Sequence, residues 1–399
     1  MRGRLAQGTR GALGYWPDPA DDPGASLRTE PLVAVAPDGG ISRGVLWLPP
    51  KGEPTTVVAL SHPRGDFSVH YACPLLAAAG YAVCGFATRY VNNDTDCLHE
   101  KAVEDVWAMV AHLRRRFDRV VLLGNSGGGS LMSMAAAMAQ RSGEMSGPLG
   151  DAFVALAAHP GEGIFLLQVI DPSLTDEDDP SSRDPALDMY DPANGYRAWP
   201  EPCTYDKDWL VGYRAAQRDR VARIDARARA AIAEQQDGLF EMRAAEKGTA
   251  EWLDARRRAR ATKYLVTYRT LADPAYLDLS IDPDDRPLGT VFAFPDPFAA
   301  NVGVGLARVM TPRGWLSTWS GLSSDAEVAK NLPQVRVPTL VVHPTGDTEI
   351  RRHQARAIHE ASGSPDATYV EVVGAEHYLQ GRRVEALDLV VSWLRDQGL

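Results

Sequence analysis

Short apolar segments rich in β-forming residues alternate with helical segments along the first 160 residues, and this alternation restricts the fold more than any other feature. Strands are predicted at 41–49, 55–62, 81–89, 119–124 and 151–159. Helices are predicted at 68–80, at 96–117 and from the glycine-rich turn to about residue 139. Because strands that are apolar on both faces need cover on both faces, the pattern favours an α/β fold with a mostly parallel central sheet flanked by helices.

The same alternation returns near the C-terminus after a long interruption. Strands are predicted at 337–347 and 367–374, with helices at 351–361 and at the end of the chain. The interrupting residues differ in character: an acidic, proline-rich loop is predicted at 171–192, and long helices at 206–237 and 249–271. One interrupted sheet explains this better than two separate domains. We therefore predict a core of residues 1–160 and 331–399, and a mainly helical cap at 161–330, called the insertion below.

Composition narrows the class of protein. The chain has 399 residues, 45% of them hydrophobic, and a formal net charge of -10, which disfavours nucleic acid as a partner. No apolar run is long enough to span a membrane, and the basic first sixteen residues lack the apolar run of a secretory signal. The four cysteines form no CxxC pair. We expect a cytoplasmic protein that acts on a small molecule, with no membrane partner, no cofactor and no metal; a homo-oligomer is left open.

A glycine-rich turn joins a predicted strand to a predicted helix in the stretch VVLLGNSGGGSLMSMAAAMA, residues 120–139. Gly124 and Gly128 flank Ser126 at minus two and plus two, which suits a strained strand-to-helix turn that holds a nucleophilic serine. Two other interpretations are a phosphate-binding loop and a plain packing turn. The Lys-Ser/Thr of a Walker loop does not follow the glycines, and the spacing is not GxGxxG, although dinucleotide binding stays possible.

A nucleophilic serine needs a base, and the base needs an acid that orients it. Asp347 follows the strand at 337–347 in the stretch HPTGD, and His377 follows the next strand in GAEH. Glu349 is close enough in sequence to compete with Asp347 for the acid's role. Serine, aspartate and histidine thus come in this order along the chain, each at the C-terminal end of a different predicted strand.

In these motifs, GNSGG, HPTGD and GAEH, the chain resembles serine hydrolases of the α/β-hydrolase fold. The resemblance covers about residues 30–160 and 335–399. It implies that Ser126 is the nucleophile, His377 the base and Asp347 its orienting acid. It also implies an esterase-like reaction, in which a carboxylic ester of a small or medium, partly apolar substrate is cleaved through an acyl-enzyme. The insertion lies where this family commonly carries a lid.

The resemblance also implies an oxyanion hole. One donor would be the backbone N–H of Gly127, and the second an N–H from the loop after strand 55–62. That loop reads HPRGD, which departs from the family pattern; since Pro63 has no N–H, Arg64 becomes the expected donor. The Arg64 side chain either binds a substrate carboxylate, points to solvent or pairs with Asp66. Polar residues next to strand ends are expected to line the substrate pocket: His62, Asn125 and His159.

Alternatives stay open at this stage. The same three residues cleave thioesters, lactones, amides or certain C–C bonds in related enzymes, so the bond type is not determined. A nucleotide-binding oxidoreductase and a non-catalytic ligand receptor built on a hydrolase fold are the alternatives of another class.

Overall fold

The structure is a computed structural model that describes residues 14–24, 26–143, 147–292 and 294–399. Most of the basic N-terminal segment therefore lies outside the described residues. The strands are β1 (Arg28–Val35), β2 (Ile41–Leu48), β3 (Thr56–His62), β4 (Ala82–Ala87), β5 (Arg119–Ser126), β6 (Ala152–Ala158), β7 (Leu265–Val266), β8 (Val309–Met310), β9 (Thr339–Pro344) and β10 (Ala367–Val372). The α-helices of four or more residues are α1 (Ala72–Ala78), α2 (His99–Leu113), α3 (Gly128–Ser142), α4 (Glu162–Val169), α5 (Lys207–Ala244), α6 (Ala250–Arg260), α7 (Pro297–Gly303), α8 (Val328–Asn331), α9 (Arg352–Glu360) and α10 (Arg383–Asp396).

Eight of the described strands form one twisted sheet in the order β1-β2-β4-β3-β5-β6-β9-β10. β2 pairs antiparallel with both of its neighbours, and the strands from β4 to β10 in that order pair in parallel. Helices cover both faces, as alternate residues of β3 show. Val57 and Ala59 pack in the cluster that contains α2 and α3, whereas Val58 and Leu60 pack in the cluster that contains α1 and α10. The predicted α/β fold with a mostly parallel central sheet is confirmed.

The parallel strands bring their C-terminal ends to one edge of the sheet. β3 ends at His62 and β5 ends at Ser126. His159 directly follows β6, while Asp347 and His377 lie in the loops after β9 and β10. Residues far apart in sequence thus meet at this edge because of the order and direction of the strands. Open α/β sheets generally bind their ligands at the C-terminal edge of their strands.

The insertion runs between β6 and β9 and contains α4 to α8, with β7 and β8 paired to each other in a small sheet. It has hydrophobic clusters of its own, one around Trp315 and Trp319 and another around Tyr205 and Tyr213. The acidic loop is irregular, as predicted, and two of its carboxylates, Glu177 and Asp178, pair with arginines of the basic helix α5. Buried Arg220 contacts Glu177 at 2.7 Å.

Three larger differences separate the sequence prediction from the structure: two helices are shorter and one strand is additional. The helix predicted at 249–271 ends at Arg260, and the β-branched and aromatic residues after it run extended into β7. The helix predicted at 68–80 is shortened to Ala72–Ala78, after a 3-10 turn at Phe67–Val69. β1 was not predicted at all; it is an edge strand with alternating exposure, and Pro31 interrupts its sequence pattern.

The four cysteines are free and buried. No helix within the described ranges is both long enough and apolar enough to cross a membrane.

Candidate active site

Ser126 sits on a strained turn at the junction of β5 and α3. Its φ is +53°, in the left-handed region that a residue with a side chain rarely adopts. The turn is possible because its flanking positions lack side chains. A Cβ on Gly124 would lie 2.6 Å from the Gly128 carbonyl oxygen, and one on Gly128 would lie 2.3 Å from the Ser61 carbonyl oxygen. These glycines are therefore required by close backbone contacts, and protein atoms fill the space that a phosphate-binding loop would leave open.

Gly129 has a similar explanation, which the sequence alone does not provide. A Cβ at this position would meet the Ala158 Cβ at 2.6 Å, at the end of β6. The first turn of α3 thus packs directly against the neighbouring strand. Ser130, one turn further along, donates its hydroxyl to the Gly127 carbonyl oxygen at 2.9 Å and is fully buried. Ser130 is therefore a packing residue.

The structure brings Ser126, His377 and Asp347 into one hydrogen-bonded chain. His377 Nε2 lies 3.1 Å from Ser126 Oγ, and His377 Nδ1 lies 2.7 Å from Asp347 Oδ2. The other carboxylate oxygen, Oδ1, accepts the backbone N–H groups of Glu349 at 2.7 Å and Ile350 at 3.1 Å. Because the Asp347 carboxylate accepts a hydrogen bond from Nδ1–H, the proton of the neutral imidazole is held on Nδ1, and Nε2 is left free to accept the serine proton.

Glu349 makes different contacts from Asp347. Its Oε2 accepts the Tyr276 hydroxyl at 3.0 Å, and its Oε1 accepts the Val291 N–H at 3.2 Å. Burial raises the pKa of Glu349 above its ordinary 4.5. A carboxyl group with a raised pKa is a poorer anionic partner for a histidine, so both the geometry and the charge favour Asp347 over Glu349 as the orienting acid.

The Asp347–His377 pair shifts both pKa values in the direction that a charged pair requires. Burial alone would lower the pKa of His377, but the charge and hydrogen bond of Asp347 outweigh burial and raise it above 6.5. Burial would likewise raise the pKa of Asp347, but its bonds to His377 and to the Glu349 N–H lower it below 3.8. Together the two residues form a base that gains a proton readily.

A second histidine also contacts the serine. His159 Nε2 lies 3.3 Å from Ser126 Oγ, and its ring centroid is 5.6 Å from that of His377. Burial lowers the pKa of His159 to about 4, so this ring is neutral at physiological pH. A neutral ring that donates Nε2–H to the serine oxygen leaves the serine proton directed at His377.

The loop after β3 folds back onto the side chain of His62. The backbone N–H groups of Arg64 and Gly65 both donate to His62 Nδ1, at 3.2 and 3.0 Å. The expectation that the Arg64 N–H is free to act as an oxyanion donor is therefore wrong, because this imidazole already binds it. Gly127, the other expected donor, is the residue just before α3, where free N–H groups and the helix dipole favour negative charge.

The Arg64 side chain neither points to solvent nor pairs with Asp66. Its guanidinium forms a bidentate pair with Glu162, at 2.8 and 3.1 Å, and lies 3.3 Å from Asp94. It also stacks over Trp319 of the insertion, at 4.5 Å from the ring centroid. Burial would raise the pKa of Glu162, but the charge of Arg64 outweighs it and holds that pKa far below 4.5.

Sequence reasoning missed Glu162. The signal for it is an acidic residue in the otherwise apolar segment GEGIFLLQVI, immediately after β6. Its carboxylate faces the nucleophile turn: a Cβ on Gly127 would lie only 2.0 Å from Glu162 Oε1.

The polar side chain of Asn125 has structural partners. Asn125 is buried, its Nδ2 donates to the Leu156 carbonyl oxygen at 2.9 Å, and its Oδ1 lies 3.1 Å from His70 Nε2. Its amide is therefore occupied by protein partners, although the residue also lines the cavity at Ser126. It lies at the register shift between β5 and β6, at Asn125–Ser126.

A cavity of about 260 Å³ opens onto Ser126 and His377. His62, Asn125 and His159 line it, as expected, and the insertion contributes much of the apolar wall: Val291, Phe292, Leu306 and Trp319. A second, more open cavity of about 650 Å³ borders on the first and shares Arg64, Leu306 and Trp319 with it. No cluster of metal-ligating side chains occurs among the described residues.

Comparison with known proteins identifies the fold. No family model matches the sequence, and no curated protein shows significant similarity to it. Among solved structures, DcsB in complex with its substrate analogue is 13% identical, with a TM-score of 0.53 over 92% of this chain and 99% of its own. The α/β hydrolase GrgF from Penicillium sp. sh18 is 13% identical, with a TM-score of 0.51 over 92% and 98%. Hypothetical protein PA2218 from Pseudomonas aeruginosa is 15% identical, with a TM-score of 0.51 over 94% of each chain. The chain has the α/β-hydrolase fold.

Proposed function

We propose that the chain is a serine hydrolase that cleaves a carboxylic ester through an acyl-enzyme on Ser126. The observation that carries the proposal is the continuous hydrogen-bonded chain from Ser126 through His377 to Asp347, at the floor of a cavity. A strained serine whose hydroxyl contacts an Asp-paired imidazole is suited to nucleophilic attack on a carbonyl carbon.

In the proposed acylation, His377 Nε2 takes the proton of Ser126 Oγ as that oxygen attacks the ester carbonyl. Asp347 stabilises the imidazolium that forms, and the Gly127 N–H donates to the oxygen of the tetrahedral intermediate. The intermediate collapses, and the imidazolium gives its proton to the leaving alcohol. In deacylation, His377 takes a proton from water, which attacks the acyl carbonyl; the acid leaves and Ser126 regains its proton.

The cavity supports a small or medium, partly apolar substrate. Phe165, Phe292, Leu306 and Trp319 line it with apolar surface, and its volume of about 260 Å³ suits a compact acyl or alkyl group. The pairing of Arg64 with Glu162 and Asp94 leaves no uncompensated positive charge there for a substrate carboxylate. We also propose a reducing compartment, the cytoplasm, since the cysteines are free and buried.

The experiment that tests the function combines active-site labelling with turnover. We expect a fluorophosphonate to label the purified protein and p-nitrophenyl esters of short acids to be hydrolysed, while Ser126→Ala loses both activities. Ser130→Ala is the matched control, since this buried hydroxyl lies one turn away and bonds only the Gly127 carbonyl oxygen among the described residues. A folded protein that resists labelling and cleaves no ester, thioester, lactone or amide would refute the proposal.

A further inference from the structure

The first three residues after β3 offer no free backbone donor to an oxyanion. Pro63 has no N–H, and the N–H groups of Arg64 and Gly65 both donate to His62 Nδ1. The tetrahedral intermediate of the proposed reaction normally needs two donors, of which Gly127 would supply one. With these three backbone positions excluded, a side chain at the cavity becomes the candidate for the second donor.

These two hydrogen bonds also determine the tautomer of His62. Because Nδ1 accepts two N–H groups, it carries no proton, and the single proton of the neutral ring must be on Nε2. Burial lowers the pKa of His62 to about 3, so the ring stays neutral over the range in which a hydrolase with a histidine base works. His62 is thus a neutral Nε2–H donor with a fixed orientation.

The Nε2 atom faces the nucleophile turn. It lies 2.8 Å from the point where a Cβ on Gly127 would be, and His62 lines the same cavity as Ser126 and His377. The Glu162 Oε1 atom, at 3.8 Å, is too far away to accept a hydrogen bond from it. The donor is therefore preorganised beside Gly127 and unoccupied by that carboxylate.

The charge of Glu162 would repel an oxyanion if it were uncompensated. Arg64 binds both of its carboxylate oxygens, which offsets the charge and fixes the carboxylate at this distance from His62. Residues 62–64 thus provide both the donor, on His62, and the cation, on Arg64, that neutralises Glu162.

We propose that the His62 Nε2–H is the second oxyanion donor, beside the Gly127 N–H, in place of a backbone N–H from the loop. The inference rests on the proposed function. It makes His62 a catalytic residue whose contribution appears in the transition state and hardly at all in substrate binding.

Two substitutions separate this role from a purely structural one. In His62→Asn, the side-chain oxygen is placed to accept the loop N–H groups, as Nδ1 does, but no donor reaches Gly127. In His62→Gln, an N–H donor reaches about as far as Nε2, but the loop N–H groups lose their acceptor. We expect kcat to fall about 10²–10³-fold in His62→Asn, with KM within a few-fold of wild type, and His62→Gln to retain a higher kcat than His62→Asn. If His62 only anchors the loop, Asn retains activity and Gln loses it, which would overturn the inference.

A second measurement observes the oxyanion directly. A trifluoromethyl ketone with a ¹³C-labelled carbonyl adds to an active serine as a hemiketal, whose ionisation is visible in the ¹³C chemical shift. We expect the hemiketal pKa to be higher in His62→Asn than in wild type by one unit or more, since a lost donor destabilises the anion. An unchanged hemiketal pKa in a folded variant overturns the assignment of His62 alone. A wild-type protein that reacts with neither the ketone nor a fluorophosphonate refutes the hydrolase itself.

Discussion

Two histidines contact the Ser126 hydroxyl through Nε2 at nearly the same distance, and they differ in the hydrogen-bond partner of their other ring nitrogen, Nδ1. His377 Nε2 is 3.1 Å from Oγ, and its Nδ1 is bonded to Asp347. His159 Nε2 is 3.3 Å from Oγ, but its buried Nδ1 has no hydrogen-bond partner among the described residues. The pKa of His377 is raised by its carboxylate, whereas burial lowers that of His159 to about 4. The carboxylate bonded to Nδ1, more than the distance from the serine, therefore distinguishes His377 as the proposed base.

The largest expected effect comes from removing each histidine in turn. His377→Ala should lower kcat for a reactive ester by up to about 10⁶-fold, as loss of a triad base does. His159→Ala removes a single neutral hydrogen bond, and a loss within about tenfold is expected. Steady-state kinetics on one p-nitrophenyl ester, with folding checked by circular dichroism, measures both. Comparable losses in the two variants would contradict the assignment of His377 as the sole base.

The acid gives the next largest effect. Asp347→Asn keeps the shape of the side chain but reverses the preferred hydrogen bond to His377, so kcat should fall about 10⁴-fold. Glu349→Gln is the control, since the amide oxygen in place of Oε1 can still accept the Val291 N–H and the NH2 group in place of Oε2 can donate to the Tyr276 hydroxyl oxygen; it should stay within about tenfold of wild type. If Glu349→Gln proves the more damaging variant, the carboxylate behind the base has been wrongly identified.

The ion pair beside His159 should affect stability more than chemistry. Glu162→Gln leaves Arg64 with only Asp94 as an acidic partner, and breaking a buried pair costs about 3 kcal/mol in free energy of unfolding. Urea denaturation measures this change. The matched control is Glu385→Gln, whose pair with Arg382 is exposed and should contribute nothing measurable. Equal midpoints for the two variants would show that the Arg64–Glu162 pair does not stabilise the fold.

The sequence predicts well that Ser126, His377 and Asp347 come together, because its signals for them are local. The turn at Ser126 is marked by glycines within two residues, and Asp347 and His377 each directly follow a predicted strand. In a parallel sheet, these strand ends must meet at one edge, so no side-chain detail is needed to bring the three residues together. The fold class follows from the same alternation of strands and helices.

The arrangement of Arg64, Glu162 and the HPRGD loop could not be predicted, because it depends on contacts between distant residues and on the direction of single N–H groups. Arg64 and Glu162 are 98 residues apart, and neither carries a motif that indicates the other. The sequence predicts that the HPRGD loop donates the Arg64 N–H to an oxyanion, whereas in the structure the N–H groups of Arg64 and Gly65 donate to the His62 ring. The residues after the end of α6 at Arg260 likewise run into β7, which pairs with β8. The paired residues Val266 and Val309 are 43 positions apart in sequence.

The dependence of activity on pH is the smallest effect and the most direct comparison of the two rings. Protonated His377 cannot accept the serine proton, so kcat/KM should fall as the pH drops below the pKa of this residue. Because Asp347 raises that pKa, the midpoint should lie above 6.5, with a tenfold loss for each further unit of acidification. His159 and His62, with pKa values of about 4 and 3, are neutral throughout this range. The profile of His159→Asn should therefore keep the wild-type midpoint, and a shift of half a unit or more would mean that both rings share the proton.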